Sequence, residues 1–318
     1  MATTTSIATT YAGEKAAGYV AAALLSANSI ENGGITVKPN VKFKEVLKRV
    51  STDDLLKNGT CDFTATSTLT LDERVLEPET FQVNLQLCKA DFRSDWDAIE
   101  MGYSAFDELP KSFADFLIGH VAAKVAAKTE TNIWSGVDAN EGEFDGFETL
   151  LTTDAALPAA QEVTGVAGGV NAANVVAELG AIVDAIPNRL YGEEGLRIYV
   201  SQNIYRAYVR SLGGFGASGL GAAGVNAQGN NQSFGDLMYD GIPLFMCNGM
   251  TSNIAIATTK DNLYFGTGLM SDMNEVRVLD MAELDGSQNV RVVMRMTAGV
   301  QYAFTKDIVT YGIVNTAN

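Results

Sequence analysis

The residues best able to do chemistry are few and far apart. Gly214-Phe-Gly216-Ala-Ser-Gly219 has the literal G-x-G-x-x-G spacing of a dinucleotide-binding loop. Such a loop works when a strand precedes it and a helix follows, so that the helix N-terminus meets the pyrophosphate. Here the pattern places a helix before it and a Gly/Ala/Asn-rich loop, Gly213 to Gln232, around it. No Lys-Ser/Thr pair follows, so the motif is not a P-loop either. His120 is the single histidine. It falls inside a helical pattern with no nucleophile elbow nearby, and it reads as structural. Zinc or non-haem iron catalysis usually needs two or three histidines. Asp138, Glu141, Glu143, Asp145 and Glu148 form an acidic patch. A Ca²⁺ loop counted from Asp138 would want Gly and Glu where Glu143 and Thr149 stand. The patch therefore reads as a solvated loop, with weak Ca²⁺ or Mg²⁺ binding as the alternative. The adjacent pairs Asp53/Asp54 and Glu193/Glu194 have nothing to aim them at one substrate. Cys61, Cys88 and Cys247 form no C-x-x-C pair, and their odd count excludes a complete internal disulfide framework. Buried free thiols are expected. No catalytic residue, no cofactor and no metal site follows from these groups, and the chain does not read as an enzyme.

Composition narrows the class. A chain of 318 residues with 47% hydrophobic content can build about two ordinary domains, or one with long excursions. Its 31 glycines against 6 prolines point to pliable turns and sheet bends. The formal net charge is −16, a field that repels free nucleic acid and anionic membranes. Lys42, Lys44, Lys48 and Arg49 are the nearest thing to a basic cluster, and Asp53 and Asp54 soon follow. No apolar run reaches membrane-spanning length. Ala16 to Leu25 lacks a basic n-region and does not read as a signal peptide.

The elements that must position these residues can be read in order. Met1 to Thr10 reads as an arm and Ala12 to Leu25 as a short helix broken at Asn32-Gly33-Gly34. Val41 to Val50 is strand or helix, with strand favoured at its start. Asn58-Gly59 is a turn signal. Cys61 to Leu71 then reads as a threonine-rich, half-wet strand with Phe63, Leu69 and Leu71 on one face. Such a ribbon suits reaching out to a neighbour better than filling a core. Phe81, Val83, Leu85 and Leu87 alternate in a strand from Glu79 to Phe92, and a turn or short helix at Asp91 to Glu100 follows. Phe113, Phe116, Leu117, Val121 and Val125 mark a long, Ala-rich, amphipathic helix, Ser112 to Trp134, ended by Gly136. A second helix runs from Asn171 to Ile186, where Pro187 stops it. Then come strand Leu196 to Val200, a helix capped by Ser201, strand Ile242 to Met246 after Asp240-Gly241, and strands Ile254 to Thr258 and Asn262 to Gly266. Asn274 to Leu279 and Asn289 to Thr297 form a hairpin turning at Asp285-Gly286.

In the last strand Val290, Val292, Met294 and Met296 share one face, and Arg291 and Arg295 lie on the other. The arginines are either solvated or paired with carboxylates of a neighbour, since the guanidinium is a planar fork of donors. A Gly-containing break precedes the apolar stretch Ala298 to Phe304, and Asp307-Ile-Val-Thr-Tyr-Gly312 closes the chain.

In this order the segments resemble a tailed-bacteriophage major capsid protein of the Hong Kong 97 type. The likeness runs through the ribbon at Asn58-Gly59, Val75-Leu-Glu-Pro78, the long helix, Phe144-Asp-Gly-Phe147, Ile198-Tyr-Val-Ser201, Tyr205-Arg-Ala-Tyr208, Asp240-Gly-Ile-Pro243 and the arginine-bearing hairpin. The resemblance implies an α+β fold: an N-terminal arm (1–40), an extended β-ribbon loop (41–75), a peripheral domain (76–169) with its spine helix at about 112–134, an axial domain (170–270), and return strands of the peripheral domain (271–318). It implies a structural protein of the virion. Assembled in the host cytoplasm, it would form pentamers and hexamers of an icosahedral shell enclosing double-stranded DNA without reading its sequence. Portal, decoration and scaffold proteins are the implied partners, with no membrane. Asn58, Gly59, Phe63, Arg291 and Arg295 become candidate intersubunit contacts. The lysine, asparagine and glutamate that crosslink some members have no match here, and the arm is too short for a fused scaffold. A bacterial encapsulin shell is the alternative of the same fold, and a nucleotide-binding α/β enzyme that of another class.

Overall fold

The computed structural model describes residues 28–52, 56–59, 61, 65, 69–88, 111–212, 237–268, 276–282 and 286–313. The expected arm, the helix at Ala12 to Leu25, the turn at Asp91 to Glu100 and the Gly213 to Gln232 loop lie outside them.

A short helix, Asn28–Glu31, leads into strands β1 (Thr36–Lys38), β2 (Glu45–Thr52), β3 (Leu69–Leu76) and β4 (Glu79–Cys88). The long helix Lys111–Ser135 and a short one, Phe147–Thr153, follow, then β5 (Glu162–Val163) and helix Val175–Asp184. Next are β6 (Leu196–Ser201), helix Gln202–Ser211, and strands β7 (Met238–Tyr239), β8 (Ile242–Cys247), β9 (Ala255–Thr259), β10 (Leu263–Thr267), β11 (Val276–Asp280), β12 (Asn289–Tyr302) and β13 (Val309–Tyr311).

β12 organises the first sheet. It pairs antiparallel with β4 along Ala298 to Asn289, and with β10 and β11 on its other side. β1 extends that sheet in parallel from β10. The period-two reading of β12 holds. Val290, Val292 and Met294 are buried, while Arg291 and Arg295 are exposed. The buried face meets Leu117, Val121 and Val125 of the long helix. The second sheet has six strands in the order β5-β13-β9-β6-β8-β7. Helices Val175–Asp184 and Gln202–Ser211 cover one face of it, through Val175, Leu179, Ile182, Ile204, Tyr205 and Tyr208. β10 lies before residue 270 yet pairs β12, and β13 lies after it yet pairs β9. Sheet membership therefore crosses that sequence boundary.

Four expectations are corrected. β12 does not break at Gly299 but continues to Tyr302. The glycine is there because a Cβ would come within 2.9 Å of the Glu77 carbonyl and of Pro78 Cα. It permits close backbone approach rather than a bend. The long helix spans nearly the expected residues, but its apolar side chains are spread around it rather than gathered in a stripe. Its last turns are buried between elements on several sides, and Thr129, Glu130, Asn132, Ile133 and Trp134 are all inaccessible. The helix predicted from Asn171 begins at Val175, because the Asn174 side chain accepts the Asn171 N–H at 2.7 Å and holds a turn there. Ser201 stands at the N-cap position but does not cap; its hydroxyl donates to Asn203 Oδ1 at 2.7 Å.

Gly299→Val should destabilise the fold by about 1–3 kcal/mol through the backbone shift it forces. Urea denaturation checks this, with Gly59→Val, at an exposed position with nothing within 4 Å and no positive φ, as the control for a general glycine effect.

Candidate intersubunit surfaces

The two-stranded ribbon β2–β3 projects two faces of opposite character. Glu45 pairs with Leu76 and the register continues to Thr52 with Leu69. Leu47 and Leu76 therefore share one face, and both are buried against the body. Val46, Lys48 and Val50 lie opposite Val75, Glu73 and Leu71 on the other face. There Val50 is 59% exposed and Leu71 68%, and Leu69 continues the face at 63%. Seven of the fourteen exposed large hydrophobic residues among those described fall between Phe43 and Val75. Scattered exposed apolar residues are ordinary, but a run of them on one pleated face marks an interaction surface.

The root of the ribbon is held by a polar knot. Arg74 pairs with Asp154 and donates to Thr305 Oγ1 at 2.6 Å. Its guanidinium also lies 4.5 Å from the centre of the Tyr302 ring. The Tyr302 hydroxyl donates to Asp154 Oδ2 at 2.6 Å, and Thr305 Oγ1 does so at 3.2 Å. Partial burial alone would raise the Asp154 pKa. Tyr302, the Ala156 amide and Arg74 outweigh that and hold it below the ordinary carboxylate value. Gln301 Nε2 donates to the Val75 carbonyl at 3.1 Å. Beside this knot a groove of about 590 Å³ runs between Leu47 and Val75 of the ribbon and Ala303 and Lys306 of the body.

The outer face of the first sheet is the second surface. Cross-strand register puts Arg291 beside Gln86 and Leu279, Val293 beside Asn84 and Arg277, and Arg295 beside Gln82. Arg291 donates to Gln86 Oε1 at 3.1 Å. Three arginines thus share a sheet face that carries no carboxylate among these described positions, in a chain of net charge −16.

The predicted contact residues are not all brought together. Arg291 and Arg295 share the sheet face. Asn58 and Gly59 are exposed on the segment joining β2 and β3, and Phe63 lies outside the described residues. Asn58-Gly59 does not form the tight hairpin turn its sequence signals. Asn58 and Gly59 lie in no turn, and neither has the positive φ that a tight hairpin turn requires. Of the strand expected from Cys61 to Leu71, Leu69 to Leu71 lie in β3, Cys61 and Ala65 lie outside any strand, and residues 62–64 and 66–68 fall outside those described.

The remaining candidates resolve as structure. His120 is half-buried in the long helix. Lys128 first, then Asn140 and the Val137 amide, hold the Glu143 pKa down at about 2. Asp145 Oδ1 accepts the Asp138 N–H at 2.9 Å. Glu148 is buried rather than solvated. Burial pushes its pKa up although Oε1 accepts the Thr251 N–H at 2.8 Å. Cys247 is buried and Cys88 half-buried as free thiols, but Cys61 is exposed, against expectation. Gly214 to Gly219 lies outside the described residues, after a helix that ends at Ser211.

One buried group gave no sequence signal. Glu130 is fully buried on the long helix, where its two oxygens accept the Ser29 N–H at 3.1 Å and the Ser29 hydroxyl at 2.7 Å. Trp134 Nε1 donates to the same Ser29 oxygen at 2.7 Å. Burial raises the Glu130 pKa above the ordinary value, and the Ser29 hydrogen bonds only partly offset it. A helical Glu among alanines and threonines looks like any solvated residue until the fold encloses it.

The fold can be compared with solved structures. The chain is similar to the capsid of the native GTA particle, at 13% identity and a TM-score of 0.62, with 93% of each chain covered. It is similar to a chain of Mycobacterium phage Adephagia, at 16% identity and a TM-score of 0.56, over 92% of this chain and 93% of that one. It is also similar to the capsid of the cyanophage P-SCSP1u, at 13% identity and a TM-score of 0.55, over 93% and 90%. The chain has a capsid fold. The expected α+β class is met, and the expected Hong Kong 97-like fold is consistent with these matches. No protein-family model and no curated protein matches the sequence.

Arg74→Ala should destabilise the protein by about 1–3 kcal/mol, because it strips Asp154 of its cation in a partly buried site. Hydrogen exchange should quicken across Glu45–Thr52 and Leu69–Leu76 and stay unchanged in the six-stranded sheet. The pH dependence has a defined sign. Asp154 has a lowered folded pKa, so its contribution is present above 3.8 and is lost as pH falls through the folded value. The stability gap between wild type and Arg74→Ala should close on acidification. Glu130 has a raised folded pKa, so its contribution is greatest below 4.5 and declines as pH rises through the folded value. Urea titrations across this range, with Glu130→Ala alongside, separate the two.

Proposed function

We propose that this chain is the major capsid protein of a tailed double-stranded DNA phage. It is a structural protein that assembles with copies of itself into pentamers and hexamers of an icosahedral shell. One observation carries the reading: nearly the whole chain follows the fold of capsid chains, with 93% of both covered in the first comparison. The ribbon supports it independently. An isolated two-stranded ribbon is marginal in water, and this one turns an apolar face to solvent. A second copy is the simplest surface to cover that face.

In this reading the first sheet and the long helix form the peripheral domain. The second sheet and its two helices form the axial domain, with β10 and β13 assigned by their pairing partners. The ribbon lies over a neighbour, with Asn58, Gly59 and Phe63 among the contact residues. Arg291 and Arg295 face carboxylates of an adjacent subunit. The shell is part of the virion and encloses DNA without reading its sequence. Assembly takes place in the host cytoplasm, with portal, decoration and scaffold proteins as further partners. The helix before Gly214 to Gly219 is the wrong element for a dinucleotide loop, which leaves the enzyme reading without support.

A double substitution, Val50→Asp with Leu71→Asp, should abolish particles while leaving a folded subunit, since both side chains are already in water. Sedimentation velocity with circular dichroism reads both properties; wild-type particle yield would overturn the proposed role of the ribbon face. Arg295→Ala should lower particle yield more than it lowers the unfolding midpoint. A normal yield would make that sheet face merely solvated.

A further inference from the structure

We propose that Asn58 is a site of spontaneous deamidation in the folded subunit. The sequence holds three Asn-Gly pairs: Asn32-Gly33, Asn58-Gly59 and Asn248-Gly249. In each the Gly amide nitrogen can in principle attack the side-chain carbonyl of Asn, because the following residue lacks a Cβ to obstruct it. The fold separates them. Gly33 N–H donates to the Ile30 carbonyl at 3.2 Å, inside a turn fixed at positive φ. Gly249 is wedged against the long helix, where even a Cβ would lie 2.1 Å from the Glu130 carbonyl. That leaves no room for the ring to close.

Asn58-Gly59 has neither restraint. Both residues are exposed, outside regular structure, beside Leu56 at 96% exposure. Nothing lies within 4 Å of the Cβ position of Gly59, and neither residue hydrogen-bonds to another described residue. Gly59 N attacks Asn58 Cγ; the new C–N bond forms as the bond from Cγ to the amide nitrogen breaks. Ammonia leaves with the proton given up by Gly59 N. Water then opens the succinimide at either carbonyl, giving aspartate or isoaspartate. The net change is amide plus water to carboxylate plus ammonium, so no oxidant or other reactant is needed. The product places a new negative charge next to Lys57. If the ribbon lies over a second copy, which rests on the assembly reading, subunits that have aged in this way carry a charged contact.

Purified full-length subunits held at mildly alkaline pH and digested for mass spectrometry test this. The Asn58 peptide should gain the mass difference of hydroxyl for amine and split into aspartate and isoaspartate forms, while the Asn32 and Asn248 peptides stay intact. In urea all three should convert, and Gly59→Ala should suppress conversion at Asn58 in the folded chain. No conversion at Asn58 in the folded protein, or equal conversion at all three sites, overturns the proposal. This measurement needs no particle, so it stands or falls apart from the assembly reading. Particle yield from Asn58→Asp tests the consequence for assembly. A fall supports it, and an unchanged yield removes it while leaving the modification intact.

Discussion

The buried end of the long helix is the constraint on which the rest depends. Trp134 lies 5.4 Å from both the Phe147 and Tyr199 rings, between the two sheets. Ile133, Phe265, Ile256 and Tyr302 complete a single cluster drawn from both sheets and both neighbouring helices. Removing a buried aromatic of this size costs about 3–5 kcal/mol. The same helix end carries Glu130, which fastens Ser29 and with it the exit of the N-terminal segment. Long helix, sheets and the short helix Asn28–Glu31 are thereby placed by one contact region, and a carboxyl group is sealed inside it.

The ribbon follows the opposite rule. Its root is fixed by Arg74, Asp154 and Tyr302, while its free face gains nothing from the fold of its own chain. Burying apolar surface is worth about 25 cal/mol per Å², and a subunit that leaves such a face uncovered stores that gain for association. Like charge on every copy opposes association at long range. In the proposed assembly the contacts have to be local: an apolar strip, and arginines on a sheet face whose described positions carry no carboxylate.

Much of this could be read in the sequence because the signals were periodic. Alternation in β4 and β12 located both strands and separated Val290 and Val292 from Arg291 and Arg295. The stripe of Val175, Leu179, Ile182 and Ile186 located a helix. Punctuation was less reliable. Gly299 looks like a break but serves close packing, and Asn58-Gly59 looks like a hairpin turn but has neither turn geometry nor positive φ. Cys61 and Ala65 sit in a threonine-rich run with strand propensity, yet neither lies in a strand. Glu130 and Glu148 could not be found at all, since burial of a carboxylate depends on what folds over it.

Electron microscopy of the purified full-length protein under assembly conditions tests the central claim most directly. Closed shells or rings of five and six subunits are the expected result. A compact monomer that persists at high concentration, with no shells or rings, would contradict it.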